Sequence, residues 1–255
     1  MQKKKEILVL LTNDDGIHAP GLNTLARQMQ SFGEIIVVAP DREQSASSHS
    51  LTLTRPLRIM EFGDSRYAVD GTPTDAVMVA VHGILKNRRK PDLLISGINH
   101  GANMGDDVSY SGTVAAAIEG SIIGIPSMAV SLINPEAGDF VPAARVVRKI
   151  ARWVVQNGLP QFSFLNINMP YIGNKSFKGI KVTRLGRRIY NDVVVEKVDP
   201  RGKNYYWIAG DPEWVDVEGS DYAAVSRGMV SISPLKVDMT DSKLHEKLKD
   251  MKLKI

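Results

Sequence analysis

Two adjacent carboxylates, Asp14 and Asp15, follow a short apolar run in the segment "LLTNDDGIHAPG". Neighbouring side chains on a strand point to opposite faces, so both acids can serve one site only if the chain leaves the extended conformation there. Gly16 gives the backbone that freedom. Two carboxylates at the end of a strand suit a hard divalent cation. A turn in which an aspartate caps the next helix explains the same residues, and this segment alone favours neither interpretation.

The common phosphate-binding loops do not fit this sequence. The segment "NDDGIHAPG" lacks the G-x-G-x-x-G pattern of a dinucleotide loop, and its acids would repel a pyrophosphate. No G-x-x-x-x-G-K-[ST] run occurs anywhere in the chain. A phosphate site in this chain would therefore use groups other than those of a dinucleotide loop or a P-loop.

Two later loops carry further groups that bind cations or phosphate. The loop "APDREQSASSHSLT" is rich in hydroxyl groups and contains Arg42 and His49. In "SGINHGANMGDDVSYSGTVAAA", the amides of Asn99 and Asn103 can bind a cation or an anion, and Ser111-Gly112-Thr113 opens a predicted helix. Free N–H groups at a helix N-terminus favour phosphate, although a Gly-Thr start is also an ordinary cap. Together these loops favour a phosphate site more than any one of them does.

Short apolar runs alternate with amphipathic stretches in the first part of the chain, which predicts strands and helices in turn. The predicted strands are 7–11, 35–39, 93–96, 127–131 and 164–167, and the predicted helices are 21–32, 72–85, 112–123 and 143–155. Continuously apolar strands between amphipathic helices indicate a mainly parallel sheet with helices on both faces. This is a Rossmann-like α/β fold, whose ligands bind beyond the carboxyl ends of the strands.

The pattern changes after about Pro170. Helical periodicity fades, and "KGIKVTRLGRRIYNDVVVEKVD" and "KNYYWIAG" predict strands rich in β-branched and aromatic residues. Residues 243–252 predict a closing basic helix. We therefore expect a catalytic core over 1–170 and a strand-rich extension over 171–255, with some of its strands returning to the core. The extension and its helix are predicted to join subunits into a homodimer or homotetramer.

Composition restricts the chemistry and the partners. The chain has 255 residues and no cysteine, which excludes disulfides, thiolate metal sites and a cysteine nucleophile. Its net charge of +4 suits a small anionic substrate but is too mild to predict nucleic-acid binding. The apolar run after the N-terminal lysines is too short for a signal peptide, and no stretch approaches the roughly 20 apolar residues of a membrane span. We expect a cytoplasmic protein with no membrane partner.

Several segments together resemble the stationary-phase survival protein (SurE) family. They are "TNDDGIHAPG", "VVAPDREQSASSHSLTLTRPL", "GTPTDAV", "SGINHGANMGDDVSYSGTVAAAIEG", "SMAVSL", "LNINMP", "TRLGRR" and "DYAAVSRGMVSISPL". The resemblance implies a metal-dependent 5′(3′)-nucleotidase with broad specificity for nucleoside monophosphates and some exopolyphosphatase activity. It also implies one divalent ion per subunit, Mg²⁺ or Mn²⁺. The positions that match the four metal ligands of the family are Asp14, Asp15, Ser45 and Asn99.

From these residues we predict a phosphate-ester hydrolase in which Asp14, Asp15 and Asn103 are catalytic. Asn103 and the helix start at Ser111, Gly112 and Thr113 would bind the phosphoryl oxygens. Direct attack by water is preferred to an aspartyl-phosphate route, because the two acids are adjacent rather than arranged as D-x-D. The alternative is a protein that binds nucleotides without hydrolysis, or an assembly protein that acts through its strand-rich extension.

Other polar and aromatic residues are predicted to have structural roles. Asp106 and Asp107 are expected to support the site rather than bind the metal, and loop residues His18 and His49 are expected to be inert rather than to act as general acids. His82 lies in an apolar helical stretch and is predicted to pack in the core. Interface packing, rather than base stacking, is expected of three aromatic residues: Tyr206, Trp207 and Trp214.

Overall fold

The computed structural model describes residues 6–133, 135, 138–173, 175–190, 194–208 and 212–251. The described strands are β1 (Leu8–Thr12), β2 (Glu34–Pro40), β3 (Ile59–Glu61), β4 (Arg66–Val69), β5 (Leu93–His100), β6 (Ser127–Ile133), β7 (Ser163–Pro170), β8 (Ile180–Val182), β9 (Arg187–Tyr190), β10 (Val194–Val198), β11 (Asn204–Ile208), β12 (Pro212–Val215) and β13 (Val230–Lys236). The described α-helices are α1 (Pro20–Met29), α2 (Pro73–Val79), α3 (Gly112–Ile123), α4 (Val141–Asn157), α5 (Asp221–Ser226) and α6 (Ser242–Lys249).

Nine strands form one central sheet in the order β3-β4-β2-β1-β5-β6-β7-β13-β8. The six strands from β4 to β7 in this order run parallel, while β3 is antiparallel to β4 and β13 is antiparallel to β7. The strands β1, β2 and β5 are adjacent, so the loops that follow them meet at one edge of the sheet. This edge carries the candidate site.

Helices cover both faces of the sheet, and each face has its own apolar core. On one face, α1 and α4 pack against the sheet, with Leu22 of α1 and Val147 of α4 fully buried. On the other face, α2 and α3 pack together, with Val77 and Ala116 in the core. The α/β fold predicted from the alternating apolar runs is therefore confirmed.

Two strands from the C-terminal part of the chain complete the sheet. β13 pairs antiparallel with β7, and β8 pairs parallel with β13. The remaining strands form two separate two-stranded sheets, β10 with β11 and β9 with β12. The division of the chain at residue 170 stays a prediction, although β8 and β13 lie in the sheet of the first part.

The β10–β11 hairpin and α6 expose apolar side chains. In the hairpin, Val194, Trp207 and Ile208 are 61%, 63% and 86% exposed. On α6, Leu244 and Leu248 are about half exposed, and no residue of this helix is buried. These surfaces lack a covering layer within the described chain.

The prediction that His82 packs in the core is wrong. A π-helical turn at Ala80–Ile84 follows α2, and its wider winding changes which residues face the sheet. Val81 and Leu85 are buried there, and His82 is exposed. None of the described helices is long and apolar enough to cross a lipid bilayer. The cytoplasmic location stays a prediction.

Candidate metal and phosphate site

The structure brings most of the predicted site residues to one edge of the sheet. Asp14 and Asp15 follow β1, Ser45 lies in the loop after β2, and Asn99 lies at the end of β5. The backbone N–H of Gln44 donates to the carbonyl oxygen of Asp14 at 2.7 Å and ties the first two loops together. The start of α3 reaches the same place, because Thr113 contacts Asp14 directly.

Asp14 is a buried carboxylate held by the start of α3. Its side chain is 5% exposed, and the hydroxyl of Thr113 donates to Asp14 Oδ1 at 2.5 Å. Burial raises the pKa of Asp14 to about 6, an effect that the hydrogen bond from Thr113 opposes and the charge of Asp15 increases. A cation bound to Asp14 would therefore offset the cost of burying its charge and the repulsion by Asp15.

Asp15 is half-buried and faces the end of β5. The backbone N–H of His100 donates to Asp15 Oδ2 at 3.2 Å. Burial raises the pKa of this carboxyl group, the hydrogen bond from His100 opposes the rise, and the charge of Glu43 adds to it. Gly16 follows with a φ of 98° and allows the turn that brings both acids to one edge.

The other two predicted metal ligands offer neutral oxygen atoms. Asn99 Nδ2 donates to the carbonyl oxygen of Gly101 at 3.0 Å, which leaves Asn99 Oδ1 available to a cation. Ser45 is exposed, and its hydroxyl donates to Glu43 at 2.7 Å. No group of three or more His, Asp or Glu side chains suited to a metal occurs in the part of the chain that the structure describes. A cation here would rest on two carboxylates and neutral oxygens, a set that fits Mg²⁺ or Mn²⁺.

The N-terminus of α3 packs tightly against Asp14. Ser111 is the N-cap, and its hydroxyl oxygen accepts a hydrogen bond from the N–H of Val114 at 3.1 Å, so its own proton stays free to be donated. A Cβ atom at Gly112 would lie 2.9 Å from Asp14 Cβ and 2.8 Å from Ser47 Oγ. Only glycine lets the helix start approach the acid this closely.

Two buried asparagines of β7 hold the backbone of Asn103 by hydrogen bonds. The backbone N–H of Asn103 donates to Asn168 Oδ1 at 2.9 Å, and its carbonyl oxygen accepts from Nδ2 of both Asn166 and Asn168 at 2.8 Å. The side chain of Asn103 donates to Ser131 Oγ at 2.8 Å and, over a longer 3.4 Å, to Thr113 Oγ1. A continuous buried network thus runs from β7 through Asn103 and Thr113 to Asp14.

A buried carboxylate in the C-terminal part of the chain also binds the loop that contains Asn103 and Gly105. Asp221, at the start of α5, accepts the backbone N–H of Gly105 at 2.9 Å and that of Gly186 at 2.8 Å. Its own helix adds the N–H of Tyr222 at 2.8 Å. Burial raises the pKa of Asp221, and these backbone hydrogen bonds oppose the rise. Residues 103–105 are therefore clamped between β7 and α5.

The sequence predictions missed the supporting roles of Asn166, Asn168 and Asp221. The available signal was the segment "LNINMP", in which two asparagines alternate with apolar residues within a buried strand. Polar side chains at such positions need buried partners. Asp221 gave no comparable signal, because an aspartate in the first turn of a short helix is common.

The remaining candidate residues take part in local contacts. His49 Nε2 lies 2.8 Å from Glu119 of α3, and His18 makes an edge-to-face contact with Phe62. Asp106 accepts the N–H of Arg188, and Asp107 forms an ion pair with the same residue, so both acids face β9. Trp214 stacks on Tyr222 at 5.1 Å and Arg188 lies over its ring, whereas Tyr206 and Trp207 are exposed. Trp214 therefore packs within its own chain.

Comparison with known proteins identifies the family. The family model described as "Survival protein SurE" matches residues 9–192. The chain belongs to the SurE family. Its relatives in this family include the 5′-nucleotidase SurE of Pelobacter propionicus, 52% identical over 235 residues, which are 91% of this chain and 94% of that protein. The 5′-nucleotidase SurE of Citrifermentans bemidjiense is 51% identical over 247 residues, 96% of this chain and 99% of its own.

The SurE fold is also seen in a solved structure. The crystal structure of the Sure protein from Aquifex aeolicus superimposes with a TM-score of 0.86 at 45% sequence identity. The match covers 95% of this chain and 98% of that one. The match therefore includes the C-terminal strands as well as the central sheet, and it agrees with the resemblance inferred from the sequence blocks.

Proposed function

We propose that this chain hydrolyses nucleoside 5′-monophosphates to nucleosides and phosphate. The observation that carries the proposal is the contact between Thr113 at the start of α3 and Asp14, because a helix N-terminus favours phosphate and this one lies beside Asp14. The SurE-family relatives at about 50% identity, which are named 5′-nucleotidases, support the activity. As finer predictions, 3′-monophosphates and short polyphosphates would also be hydrolysed.

The proposed cofactor is one divalent cation per subunit, Mg²⁺ or Mn²⁺. Asp14 and Asp15 would hold it, and Ser45 and Asn99 would complete the protein ligands with neutral oxygens. Burial, and to a smaller extent the charge of Asp15, raises the pKa of Asp14, and a bound cation would stabilise the ionised form of this buried carboxylate. When bound, such an ion supplies positive charge to a phosphate dianion and activates water.

The chain's own groups would bind and orient the phosphoryl oxygens. The free N–H end of α3 and the hydroxyl proton of Ser111 point to the anion-binding role. Asn103 can add one donor if its longer bond to Thr113, at 3.4 Å, is replaced by a bond to phosphate. Thr113 uses its hydroxyl to fix Asp14, so its contribution to phosphate binding would come through the helix backbone.

We propose that water attacks the phosphorus directly. Asp14 is a poor nucleophile in this arrangement, because Thr113 holds one of its oxygens and the side chain is almost fully buried. The water oxygen would bond to phosphorus while the ester oxygen of the nucleoside leaves. Trapping a phosphorylated Asp14 or Asp15 by rapid quench during turnover would refute this step.

The decisive test measures phosphate release from AMP, GMP and p-nitrophenyl phosphate with Mn²⁺, Mg²⁺ or EDTA. Activity should require the metal, and Asp14→Asn should remove it without loss of the fold. Asp64→Asn is the matched control, because Asp64 is exposed in the β3–β4 turn at the opposite edge of the sheet. Activity that survives both EDTA and Asp14→Asn would reject the mechanism. Binding of nucleotide without phosphate release would favour the non-catalytic alternative.

Self-association as a homodimer or homotetramer is a further part of the proposal. The exposed apolar residues of the β10–β11 hairpin and of α6 support it. Exposed apolar patches that lie together often mark contacts between proteins.

A further inference from the structure

A cleft lined by basic side chains lies between α1 and α4. Four of its side chains come from α4, at Arg145, Arg148, Lys149 and Arg152, and Gln28 of α1 faces them. The cleft encloses about 480 Å³. Positions i, i+3, i+4 and i+7 fall on one face of a helix, so the four cations form a single stripe.

The stripe has no counter-charge in the described chain. Within those residues, none of the four cations forms an ion pair or a side-chain hydrogen bond. The Nε atom of Arg148 is buried and lacks a partner. Like charges one turn apart on a helix repel each other, and a buried donor without an acceptor is costly. An anion in the cleft would relieve the repulsion between the cations.

We propose that this cleft binds a small anion that carries two or more phosphate groups. Arginine binds phosphate oxygens through paired N–H groups, and Arg145, Arg148 and Arg152 each bring a guanidinium group to the cleft. The stripe from Arg145 to Arg152 is about 10 Å long, from the rise of an α-helix, which exceeds the reach of a single phosphate. Four cations match the charge of a di- or triphosphate better than that of a monophosphate.

The cleft is separate from the metal and phosphate site. α1 begins at Pro20, five residues after Asp15 in the sequence, and Gln28 lies near the other end of this helix. Pro20 and Gln28 are about 12 Å apart along the helix axis. None of the residues that line the cleft belongs to the site at the edge of the sheet. Binding in the cleft therefore does not depend on the proposed hydrolysis.

Titration calorimetry of the metal-free protein with inorganic tripolyphosphate tests the proposal. Prior dialysis against EDTA removes metal, so that the acids of the first site repel an added phosphate and weaken its binding there. We expect binding that weakens as salt is added, and about tenfold weaker binding for Arg145→Gln/Lys149→Gln, from the loss of two partly exposed ion pairs. Both positions are exposed, so the fold should be kept. Arg148→Lys, which keeps the charge but removes the paired N–H groups of the guanidinium, should also weaken binding.

The matched control is Lys243→Gln/Lys247→Gln, which removes two exposed charges from α6. It should leave binding unchanged. ATP should bind within about threefold of tripolyphosphate if the cleft recognises only phosphates. Three results would overturn the proposal: no binding of tripolyphosphate at millimolar concentration, equal losses in the cleft and control variants, or binding of a short oligonucleotide much more tightly than tripolyphosphate.

Discussion

Replacing Gly112 with alanine is the sharpest test of how α3 is placed against Asp14. The new Cβ would lie 2.9 Å from Asp14 Cβ, at least 0.5 Å nearer than the 3.4 Å at which ordinary contact begins. A Cβ atom is fixed to its backbone, so Asp14 cannot avoid the clash by rotating its side chain. Either the loop after β1 or the start of α3 has to move.

The expected losses follow from that displacement. A misplacement of 1 Å in an active site can cost about 100-fold in rate, so a shift near 0.5 Å should lower kcat about tenfold. The loss of stability should be at most about 2.5 kcal/mol, because overpacking costs about 1 to 3 kcal/mol while alanine gains about 0.5 to 1 kcal/mol over glycine in a helix. Phosphate release and denaturant unfolding, measured on the same preparation, separate the loss of kcat from the loss of stability.

Gly120→Ala is the control within the same helix. Its Cβ would meet Ser127 Oγ at 2.4 Å and Leu94 Cδ1 at 2.8 Å, about 12 Å along the helix from Gly112. This variant should lose stability and keep kcat per folded molecule. A Gly112→Ala enzyme with wild-type kcat, or an equal loss of kcat in both variants, would refute the role given to the close contact.

Two further changes test the network around the site, and a third tests the oligomer contact. Asn168→Ala removes two buried hydrogen bonds to Asn103, which should lower the stability by about 1–3 kcal/mol and also lower kcat. An unchanged kcat in the folded variant would contradict the positioning role. Because burial raises the pKa of Asp221 above 3.8, its contribution to stability is complete below that value and is lost as the pH rises through the raised pKa. Between pH 3.8 and the raised pKa, the difference in unfolding free energy between the wild type and Asp221→Asn should therefore fall as the pH rises. Thermal melts in which both proteins change in stability with pH by the same amount would contradict this. Truncation after Asp238 removes α6 but keeps β13, so it should dissociate the oligomer; sedimentation that shows the same assembly would argue against α6 as the contact.

The central sheet and its site edge were predictable, because local patterns determine them. The buried strands β1, β2, β5 and β6 contain short apolar runs, and their bounds lie within four positions of the predicted ones. Parallel strands place the loops that follow them at one edge, so the meeting of Asp14, Ser45 and Asn99 follows from the fold class.

The residues that hold the site loops in place do so through contacts between distant parts of the chain, and no local sequence pattern predicts such contacts. Asp221 and Gly105 are 116 residues apart, and nothing local indicates their hydrogen bond. The place of β13 beside β7 also depends on long-range pairing. The error at His82 had a local cause, because a single π-helical turn redirects one residue without changing the apolar pattern.

The clamp formed by Asp221 has a consequence for protein synthesis. The acids at residues 14 and 15 leave the ribosome early, yet the loop at residues 103–105 gains this carboxylate only after residue 221 has emerged. Domains tend to fold from the N-terminus during translation, so the sheet can begin to form around an unfinished centre. A nascent chain that stalls before α5 would lack one of the two sets of hydrogen bonds that fix the loop at residues 103–105, so this loop would be fully held only as translation nears its end.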